Sequence, residues 1–249
     1  MIEVVKKYEY PYKARDAFLD FHRRTERWAV LVCHRRAGKT VATICDTIRR
    51  AITEKKSDAR YAYIAPYYAQ AKNIAWDYLL KFAEPAIVKA NQSELWVELV
   101  NGAKIRLFGA DNPDALRGLY LDGVVLDEYA DMKPRLWGEI VRPLLTDRQG
   151  WATFIGTPKG HNAFYDIYNE GQKNPNWYVK TLRADQSGLL PEAELLDAQA
   201  TMSDNQYEQE FLCSFEAAIL GAYYGQEMRR ITDLDRITTV DYDVHLKFQ

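Results

Sequence analysis

Residues 32–40 of the chain read Val32-Cys33-His34-Arg35-Arg36-Ala37-Gly38-Lys39-Thr40. An unbroken apolar run at residues 28–33 leads into this basic loop, which is typical of a buried strand. Apolar side chains then recur at helical spacing: Val41, Ile44, Cys45, Ile48 and Ile52. Strand, loop, Gly-Lys-Thr and helix, in that order, predict a phosphate-binding P-loop.

The chemistry of phosphate binding explains why these residue types stand in this order. Backbone N–H groups at a helix N-terminus point at phosphate oxygens, and the helix dipole adds positive potential. Gly38 lets the main chain approach the ligand, Lys39 reaches the β- and γ-phosphates, and Thr40 places a hydroxyl on Mg²⁺. The predicted nucleotide-binding set for ATP and Mg²⁺ is Arg35, Arg36, Ala37, Gly38, Lys39 and Thr40. The usual pattern has a glycine where this chain has Cys33.

Composition describes an ordinary globular protein. The 249 residues are 47% hydrophobic and 27% charged, enough for one large α/β domain or a domain with a small appendage. Three scattered cysteines indicate a reducing compartment. No apolar run approaches the ~20 residues that span a bilayer, and residues 1–7 do not resemble a signal peptide. We therefore expect an intracellular protein without membrane contact.

Charge is distributed unevenly along the chain. Residues 1–50 hold 12 Lys/Arg against 6 Asp/Glu, whereas residues 181–249 hold 5 against 13. The overall net charge of −2 argues against a protein that coats nucleic acid indiscriminately. A local basic surface in the first third remains open, as does a plain solvated helix face for Arg23, Arg24 and Arg27.

Further segments predict a mostly parallel α/β sheet. Strands are expected at residues 61–65, 123–127, 151–155 and 177–182, with a helix over 71–82 and others starting at 134 and ending near 171. The dipeptide Asn101-Gly102 predicts a hairpin with a type I′ turn between residues 95–100 and 103–108. Alternating strands and helices place ligands at the carboxyl ends of the strands.

The domain prediction divides the chain near residue 182. Residues 1–182 form a P-loop ATPase core. Residues 183–249, where the strand signal fades and helices at 191–202 and 204–215 follow, form a small lid or linker subdomain.

A second motif, Val124-Val125-Leu126-Asp127-Glu128, delivers two carboxylates to the sheet edge where phosphates are expected. We expect Asp127 to hold Mg²⁺ and Glu128 to act as the general base on the attacking water. The alternative is a polar turn after a strand. Thr157, in Gly156-Thr157-Pro158, is expected beside the same crevice as a γ-phosphate sensor, with a simple strand-ending turn as its alternative.

Together these segments resemble the ATPase half of the large terminase subunit, the DNA-packaging motor of tailed bacteriophages. The resemblance covers most of the chain. It rests on residues 34–40, Ile64-Ala65-Pro66, residues 112–118, residues 126–130, residues 156–160, Gln209-Glu210-Phe211 and Gly221-Ala222-Tyr223-Tyr224. That family typically has a deviant P-loop without the first glycine and with an arginine four residues before the lysine, which Cys33 and Arg35 fit.

The resemblance implies a RecA-like fold of the additional-strand, catalytic-Glu class of P-loop ATPases. It also implies ATP-driven translocation of double-stranded DNA into a procapsid, in the cytoplasm of an infected bacterium. The implied partners are double-stranded DNA, a portal protein, a small terminase subunit and further copies of the chain in a ring.

Residue roles follow from the same resemblance. Lys39 and Thr40 would bind phosphate and Mg²⁺, and Arg35 would contact the γ-phosphate within its own subunit. Thr157 would couple hydrolysis to movement. Arg117 would act as an arginine finger on a neighbouring subunit, which can supply roughly 10³ to 10⁵ in rate. The alternative for Arg117 is a surface arginine after a loop.

Two departures from the family qualify these implications. The family commonly reads adenine with a glutamine upstream of the P-loop, and no glutamine stands between Met1 and Cys33. Tyr8, Tyr10, Tyr12 and Arg15 are candidates to stack on a base, and use of GTP stays open. The family's nuclease domain is expected to be absent, because Asp233, Asp235, Asp241 and Asp243 lie in a short segment without a scaffold.

Two other functions fit parts of the pattern. A superfamily 2 helicase also carries an Asp-Glu motif after a buried strand, but needs a second RecA-like domain. A nucleotide-dependent DNA-binding scaffold module would have no use for an intact Glu128.

Overall fold

The computed structural model of the chain describes residues 10–216, together with residues 230, 231, 234 and 236. One eight-stranded sheet organises these residues, in the order β3-β4-β5-β2-β6-β7-β1-β8. Its strands are β1 (Trp28–Cys33), β2 (Arg60–Ala65), β3 (Ile87–Asn91), β4 (Trp96–Leu99), β5 (Lys104–Gly109), β6 (Gly123–Asp127), β7 (Trp151–Gly156) and β8 (Trp177–Leu182).

The sheet is parallel except at one edge. Strands β5, β2, β6, β7, β1 and β8 run parallel to one another, whereas β3 pairs antiparallel with β4, and β4 with β5. The central strands are buried on both faces, which their continuous apolar sequences require. All four strands predicted after the first are confirmed within a residue at each end.

Helices cover both faces of the sheet. The α-helices are α1 (Leu19–Arg23), α2 (Lys39–Thr53), α3 (Tyr68–Gln70), α4 (Trp76–Ala83), α5 (Arg142–Leu144), α6 (Ala163–Lys173), α7 (Ala184–Ser187), α8 (Glu192–Thr201) and α9 (Asp204–Glu210). Two π-helical stretches, Ala71–Ala75 and Leu136–Val141, run directly into α4 and α5. Side chains of β1 alternate between the two cores: Leu31 joins the cluster with α2 and α4, and Val32 joins that with α6.

The turn of the hairpin β4–β5 differs from its prediction. A type I′ turn needs positive φ at both central residues, but only Gly102 (φ 82°) has it. The turn instead closes with the Gly102 N–H donating to the Leu99 carbonyl, and the Leu99 N–H donating to the Ala103 carbonyl. The side-chain amide of Asn101 is turned toward the C-terminus of α2, where it donates to the carbonyls of Ala51 (2.8 Å) and Ile52 (3.2 Å). Strand β3, which pairs with this hairpin, was not predicted.

Strand order decides which motifs meet. Strand β7 lies between β1, which carries the P-loop, and β6, which carries Asp127. Because the three strands are parallel, their carboxyl ends share one edge of the sheet. The sheet therefore brings the P-loop, the Asp-Glu pair and Thr157 to one place.

Residues 183–216, called here the C-terminal segment, pack back onto this body. Phe215 is buried against the rings of Phe164, Tyr165 and Tyr168 of α6, with centroids 5.2–5.8 Å apart. Helix α9 ends at Glu210, five residues earlier than the predicted helix, because residues 211–216 leave the helix to reach this contact. The segment is thus attached to the core at its end.

Several predictions fall on residues that the structure does not describe. They concern Tyr8, the segment Gly221-Ala222-Tyr223-Tyr224 and the four aspartates Asp233, Asp235, Asp241 and Asp243. Within the described ranges, no helix combines the length and hydrophobicity needed to cross a bilayer.

Candidate functional site

The P-loop forms a tight turn between β1 and α2. Arg36 (φ 67°) and Gly38 (φ 94°) both have left-handed backbone conformations, and α2 begins at Lys39. A side chain at position 38 would be strained by that φ and would come within 3.3 Å of the Arg15 guanidinium. Glycine is therefore required there, and the N-terminus of α2 opens toward the sheet edge as phosphate binding needs.

Cys33 explains the missing first glycine. It is the last residue of β1, its side chain is fully buried in the core, and the turn begins only after it. Burial raises the pKa of its thiol to about 12, so the group stays a neutral thiol. At this position the chain needs a small core residue and not a flexible one.

The predicted P-loop lysine and catalytic glutamate are in direct contact. Lys39 Nζ lies 2.9 Å from Glu128 Oε1, and the Thr157 backbone N–H donates to Glu128 Oε2 at 3.3 Å. Burial lowers the pKa of Lys39, but the charges of Glu128 and Asp127 outweigh burial and raise it overall. Lys39, Glu128 and Thr157 thus converge on one point, as their strand ends predicted.

Glu128 is held in a backbone conformation that few glutamates adopt. Its φ of 48° and ψ of 50° are left-handed, immediately after β6. A non-glycine residue in this region costs about 1–3 kcal/mol and persists only where the surroundings impose it. The left-handed backbone at Glu128 turns the chain out of β6, whose last residue is Asp127. The Glu128 carboxylate thereby faces Lys39.

Asp127 is buried and incompletely satisfied. Its Oδ2 accepts a hydrogen bond from the Tyr63 hydroxyl at 2.6 Å, while Oδ1 has no partner among the described residues. Burial raises the pKa of Asp127 above its usual range, and the charge of Glu128 adds to this effect. The Tyr63 hydroxyl also interacts with Thr40, so a single tyrosine links both predicted Mg²⁺ ligands.

These groups fit a magnesium ion. A buried carboxylate oxygen without a described donor, linked through the Tyr63 hydroxyl to a threonine hydroxyl, offers the oxygen ligands that Mg²⁺ takes from a protein when phosphates and water complete its shell. No cluster of three or more His, Cys, Asp or Glu that could hold a metal occurs in the described part of the chain.

Arg35 engages the C-terminal segment and not the centre of the site. Its guanidinium makes two hydrogen bonds to the Glu210 carboxylate, Nε to Oε2 at 2.7 Å and Nη2 to Oε1 at 3.2 Å. The Arg35 backbone N–H also donates to the Glu210 carbonyl at 2.9 Å. The Glu210 hydrogen bonds raise the pKa of Arg35 above its ordinary value. The adjacent Arg36 is exposed.

Two residues that sequence analysis did not single out support the P-loop. His34 is fully buried; its Nδ1 lies 2.7 Å from the Arg35 carbonyl and its Nε2 lies 3.0 Å from Ser187 Oγ. For Tyr63 the sequence predicts only a place in a strand. A tyrosine in a buried strand nevertheless indicates a polar neighbour, because its buried hydroxyl needs a hydrogen-bond partner.

The candidates for base stacking have separate positions. Arg15 Nη1 donates to the Ala37 carbonyl at 2.8 Å, directly beside the P-loop. Tyr10 donates to the Cys45 carbonyl on α2, and the Tyr12 hydroxyl lies 3.0 Å from His22 Nε2. Of the three, Arg15 is the one in contact with the P-loop.

Arg117 does not join the cluster. It follows the short helix Pro113–Leu116 after β5, is 64% exposed in its side chain and pairs with Asp114 at 2.8 Å. Strand β5 is separated from β1 by β2, β6 and β7, about 19 Å across the sheet at ~4.8 Å per strand. Within one chain, Arg117 therefore lies far from the strand that carries the P-loop, and its described side-chain partner is Asp114.

Comparison with known proteins confirms the resemblance drawn from the motifs. The chain is 27% identical over 260 residues to the large terminase subunit of Thermus virus P23-45, covering 90% of this chain and 53% of that protein. The chain therefore spans about half the length of the curated relatives it matches. No family model matches it.

Solved structures agree with the sequence comparison. The large terminase ATPase domain of Thermus phage P74-26 superimposes with a TM-score of 0.73 at 25% identity, covering 83% of this chain and 95% of that domain. The large terminase of a thermophilic bacteriophage in complex with ATP-γ-S shares the fold, with a TM-score of 0.65 at 15% identity over 76% of this chain and 48% of the other. The described fold is thus that of large terminase ATPase domains.

Proposed function

We propose that this chain is the ATP-hydrolysing motor domain of a viral large terminase, which drives double-stranded DNA into a procapsid. The observation that carries the proposal is the convergence of Lys39, Glu128 and Thr157 at one sheet edge, beside the buried Asp127. The similarity to the P74-26 ATPase domain, which extends over 95% of that domain, supports it independently.

The strand order supports placement in the additional-strand, catalytic-Glu class of P-loop ATPases. That class has a strand between the P-loop strand and the strand of the acidic motif, and β7 occupies this position. The eight described strands form one sheet. The C-terminal segment acts as the lid in this proposal.

Each residue has a defined task in the proposed reaction. The N-terminus of α2 and Lys39 bind the β- and γ-phosphates, and the Lys39 ammonium leaves Glu128 to do so. Glu128 then accepts a proton from the attacking water through a carboxylate that the Thr157 N–H holds in place. Asp127 and Thr40 would hold Mg²⁺, which would supply charge neutralisation at the phosphates.

Assembly completes the proposed site. Arg117 is exposed and distant from its own P-loop, which suits a residue that reaches the nucleotide of a neighbouring copy in a ring. Portal protein, small terminase subunit and DNA are the proposed partners, within the infected bacterial cell.

Steady-state ATP hydrolysis with matched variants tests the proposal. We expect Glu128→Gln to bind ATP normally but to lose about 10²- to 10⁴-fold in turnover, because the general base is removed. Lys39→Ala should weaken ATP binding by about 10- to 100-fold, because a charge-assisted contact to phosphate is lost. Lys133→Ala, an exposed lysine after the short helix Tyr129–Asp131, is the control for removal of a positive charge.

Two results would contradict the proposal. Turnover of the unaltered chain indistinguishable from buffer would exclude the enzyme and favour a scaffold module that uses nucleotide only as a ligand. ATP affinity unchanged in Lys39→Ala would exclude the P-loop.

A further inference from the structure

The Arg15 side chain lies directly against the backbone of the P-loop. Its Nη1 donates to the Ala37 carbonyl at 2.8 Å, and the same nitrogen is 3.3 Å from the point where a Cβ on Gly38 would stand. Burial lowers the pKa of His34, and the charges of Lys39 and Arg15 lower it further, so the charge of Arg15 reaches the loop. The guanidinium of this exposed arginine is therefore used on the loop that would bind phosphate.

The contact fixes the orientation of one peptide group. The Ala37 carbonyl and the Gly38 N–H belong to the same planar trans peptide, so they point in opposite directions. Because Arg15 binds the carbonyl, the direction of the N–H is set as well. The Gly38 N–H has no backbone acceptor within residues 10–216, which leaves it available to a phosphate oxygen.

The glycine at position 38 makes this orientation easy to lose. Glycine populates positive and negative φ about equally, so the peptide that precedes it rotates at low cost. The neighbouring peptides are fixed locally: the Ala37 N–H donates to the His34 carbonyl at 3.3 Å, and the Gly38 carbonyl accepts from the Ala42 N–H at 3.0 Å. The peptide between residues 37 and 38 instead receives its described restraint from a side chain 22 positions away.

The backbone around Arg15 is anchored on both sides. On one side, the Tyr12 hydroxyl lies 3.0 Å from His22 Nε2. On the other side, the Arg15 carbonyl accepts the Phe18 N–H at 2.8 Å, and Phe18 is buried in the same core cluster as Ala37. Since the backbone is already ordered, only side-chain freedom is lost when the guanidinium binds the loop.

We propose that Arg15 is a positioning residue that holds the Ala37 carbonyl away from the phosphates and so presents the Gly38 N–H to them. This inference rests on the proposed function, because it concerns how the P-loop receives a polyphosphate. Arg15 then acts on every polyphosphate alike, whereas an arginine stacked on a base would act only on a ligand that has a base.

The affinities of the chain for magnesium tripolyphosphate and for ATP-γ-S provide the first test. Arg15→Ala should weaken the binding of both by about 5- to 20-fold, as expected for one hydrogen bond to a charged group at an exposed position. Arg15→Lys should recover most of both affinities, because one carbonyl needs only one donor. Arg23→Ala, which removes an exposed arginine at the end of α1, is the control and should alter neither affinity.

Kinetics and the amide resonance of Gly38 provide the second test. In Arg15→Ala, KM for ATP should rise by the same factor as the dissociation constants while kcat stays within about two-fold, because ground state and transition state lose the same contact. The Gly38 amide resonance of the ligand-free chain should shift, and the midpoint of denaturant unfolding should stay unchanged. A merely structural arginine would instead lower that midpoint and leave the Gly38 resonance in place.

The outcomes separate this inference from the proposed function. If the unaltered chain binds tripolyphosphate in a Lys39-dependent manner but Arg15→Ala binds it equally well, the role of Arg15 is wrong and the P-loop stands. Weaker binding of ATP-γ-S with unchanged binding of tripolyphosphate also overturns it and assigns Arg15 to the base. Failure of the unaltered chain to bind either ligand overturns both.

Discussion

Two buried carboxylates lie near α2 and differ in how their charge is balanced. Asp46, two turns beyond Lys39 on the helix, accepts from Arg24 and Arg49 at 2.8 Å, from Arg50 at 3.0 Å and interacts with His22 at 3.4 Å. Burial raises the pKa of Asp46, but His22, Arg24 and Arg50 outweigh it and hold the pKa far below its usual range. Asp127 has one hydrogen bond from Tyr63, an oxygen without a described partner and a raised pKa.

The difference distinguishes a group that stabilises the fold from one that binds a ligand. At Asp46, side chains from α1, from the residue after it and from α2 saturate both oxygens, and Arg24 extends the contact to Thr153 on β7. At Asp127 one carboxylate oxygen has no described hydrogen-bond donor, and the strained Glu128 stands next to it. A binding site keeps such incomplete balance because its ligand supplies the remainder.

The largest expected effect comes from Asp46→Asn. Neutralising a carboxylate that serves buried Arg24 leaves an uncompensated buried charge, which costs about 3–5 kcal/mol of unfolding free energy. Denaturant unfolding at neutral pH measures it. Asp20→Asn, at an ion pair with Lys180 that is 55% exposed on the aspartate side, is the control and should cost less than about 1 kcal/mol. Equal losses in the two variants would show that Asp46 contributes no more to stability than a surface ion pair does.

The pH dependence of stability sharpens the same comparison. The folded-state pKa of Asp46 is depressed, so its stabilisation is present above the unfolded value of ~3.9 and is lost as pH falls further. The pKa of Asp127 is raised, so its protonation on acidification favours the folded state. We expect unfolding free energy to fall steeply below about pH 4 in the unaltered chain, and less steeply in Asp46→Asn. A slope below about pH 4 that Asp46→Asn leaves unchanged would assign acid unfolding to other carboxylates.

A smaller effect is expected from Tyr63→Phe. Loss of the hydroxyl leaves Asp127 without its described donor, which costs about 1–3 kcal/mol and raises the pKa of Asp127 further. The Mg²⁺ concentration for half-maximal ATP hydrolysis should rise accordingly. Tyr61→Phe, two residues earlier on the same strand and equally buried, should leave that concentration unchanged. An unchanged magnesium requirement in Tyr63→Phe would show that the tyrosine serves packing alone.

The smallest effect in the isolated chain is expected from Arg117→Ala, because this arginine belongs to neither cluster. Turnover should change by less than about two-fold, as in the control Arg183→Ala, a half-buried arginine paired with Asp185. In an assembled ring, loss of a finger should cost about 10³- to 10⁵-fold. Mixing Arg117→Ala with Glu128→Gln subunits should restore turnover. Absence of rescue in an assembled ring would count against action between subunits.

Much of the fold was predictable from sequence because its parallel strands are buried on both faces. Continuous apolar runs such as Trp28–Cys33 have no other stable environment, and the polar residues that follow them must meet at one edge. This shared edge is what brings the P-loop, the Asp127-Glu128 pair and Thr157 together. Strand β3 was not predicted, because its middle residues are exposed and show no apolar pattern.

Other features depended on long-range contacts that periodicity does not encode. The pairing of Arg35 with Glu210 joins residues 175 positions apart, and the basic loop predicted only contact with phosphate. The turn at Asn101-Gly102 departed from type I′ because the hairpin closes around residues 100–102, with positive φ only at Gly102. The contact of the Asn101 side-chain amide with α2 is, like the Arg35–Glu210 pair, a tertiary hydrogen bond that the local sequence does not predict.

The Asn101 contact has a mechanical consequence. Helix α2 is about 22 Å long at 1.5 Å per residue, and it is fixed at one end by the P-loop and at the other by the hairpin β4–β5. It therefore behaves as a stiff strut between the phosphate site and the antiparallel edge of the sheet. A displacement of Lys39 along the axis of α2 is therefore transmitted to Asn101 through the helix and not through the strands of the sheet.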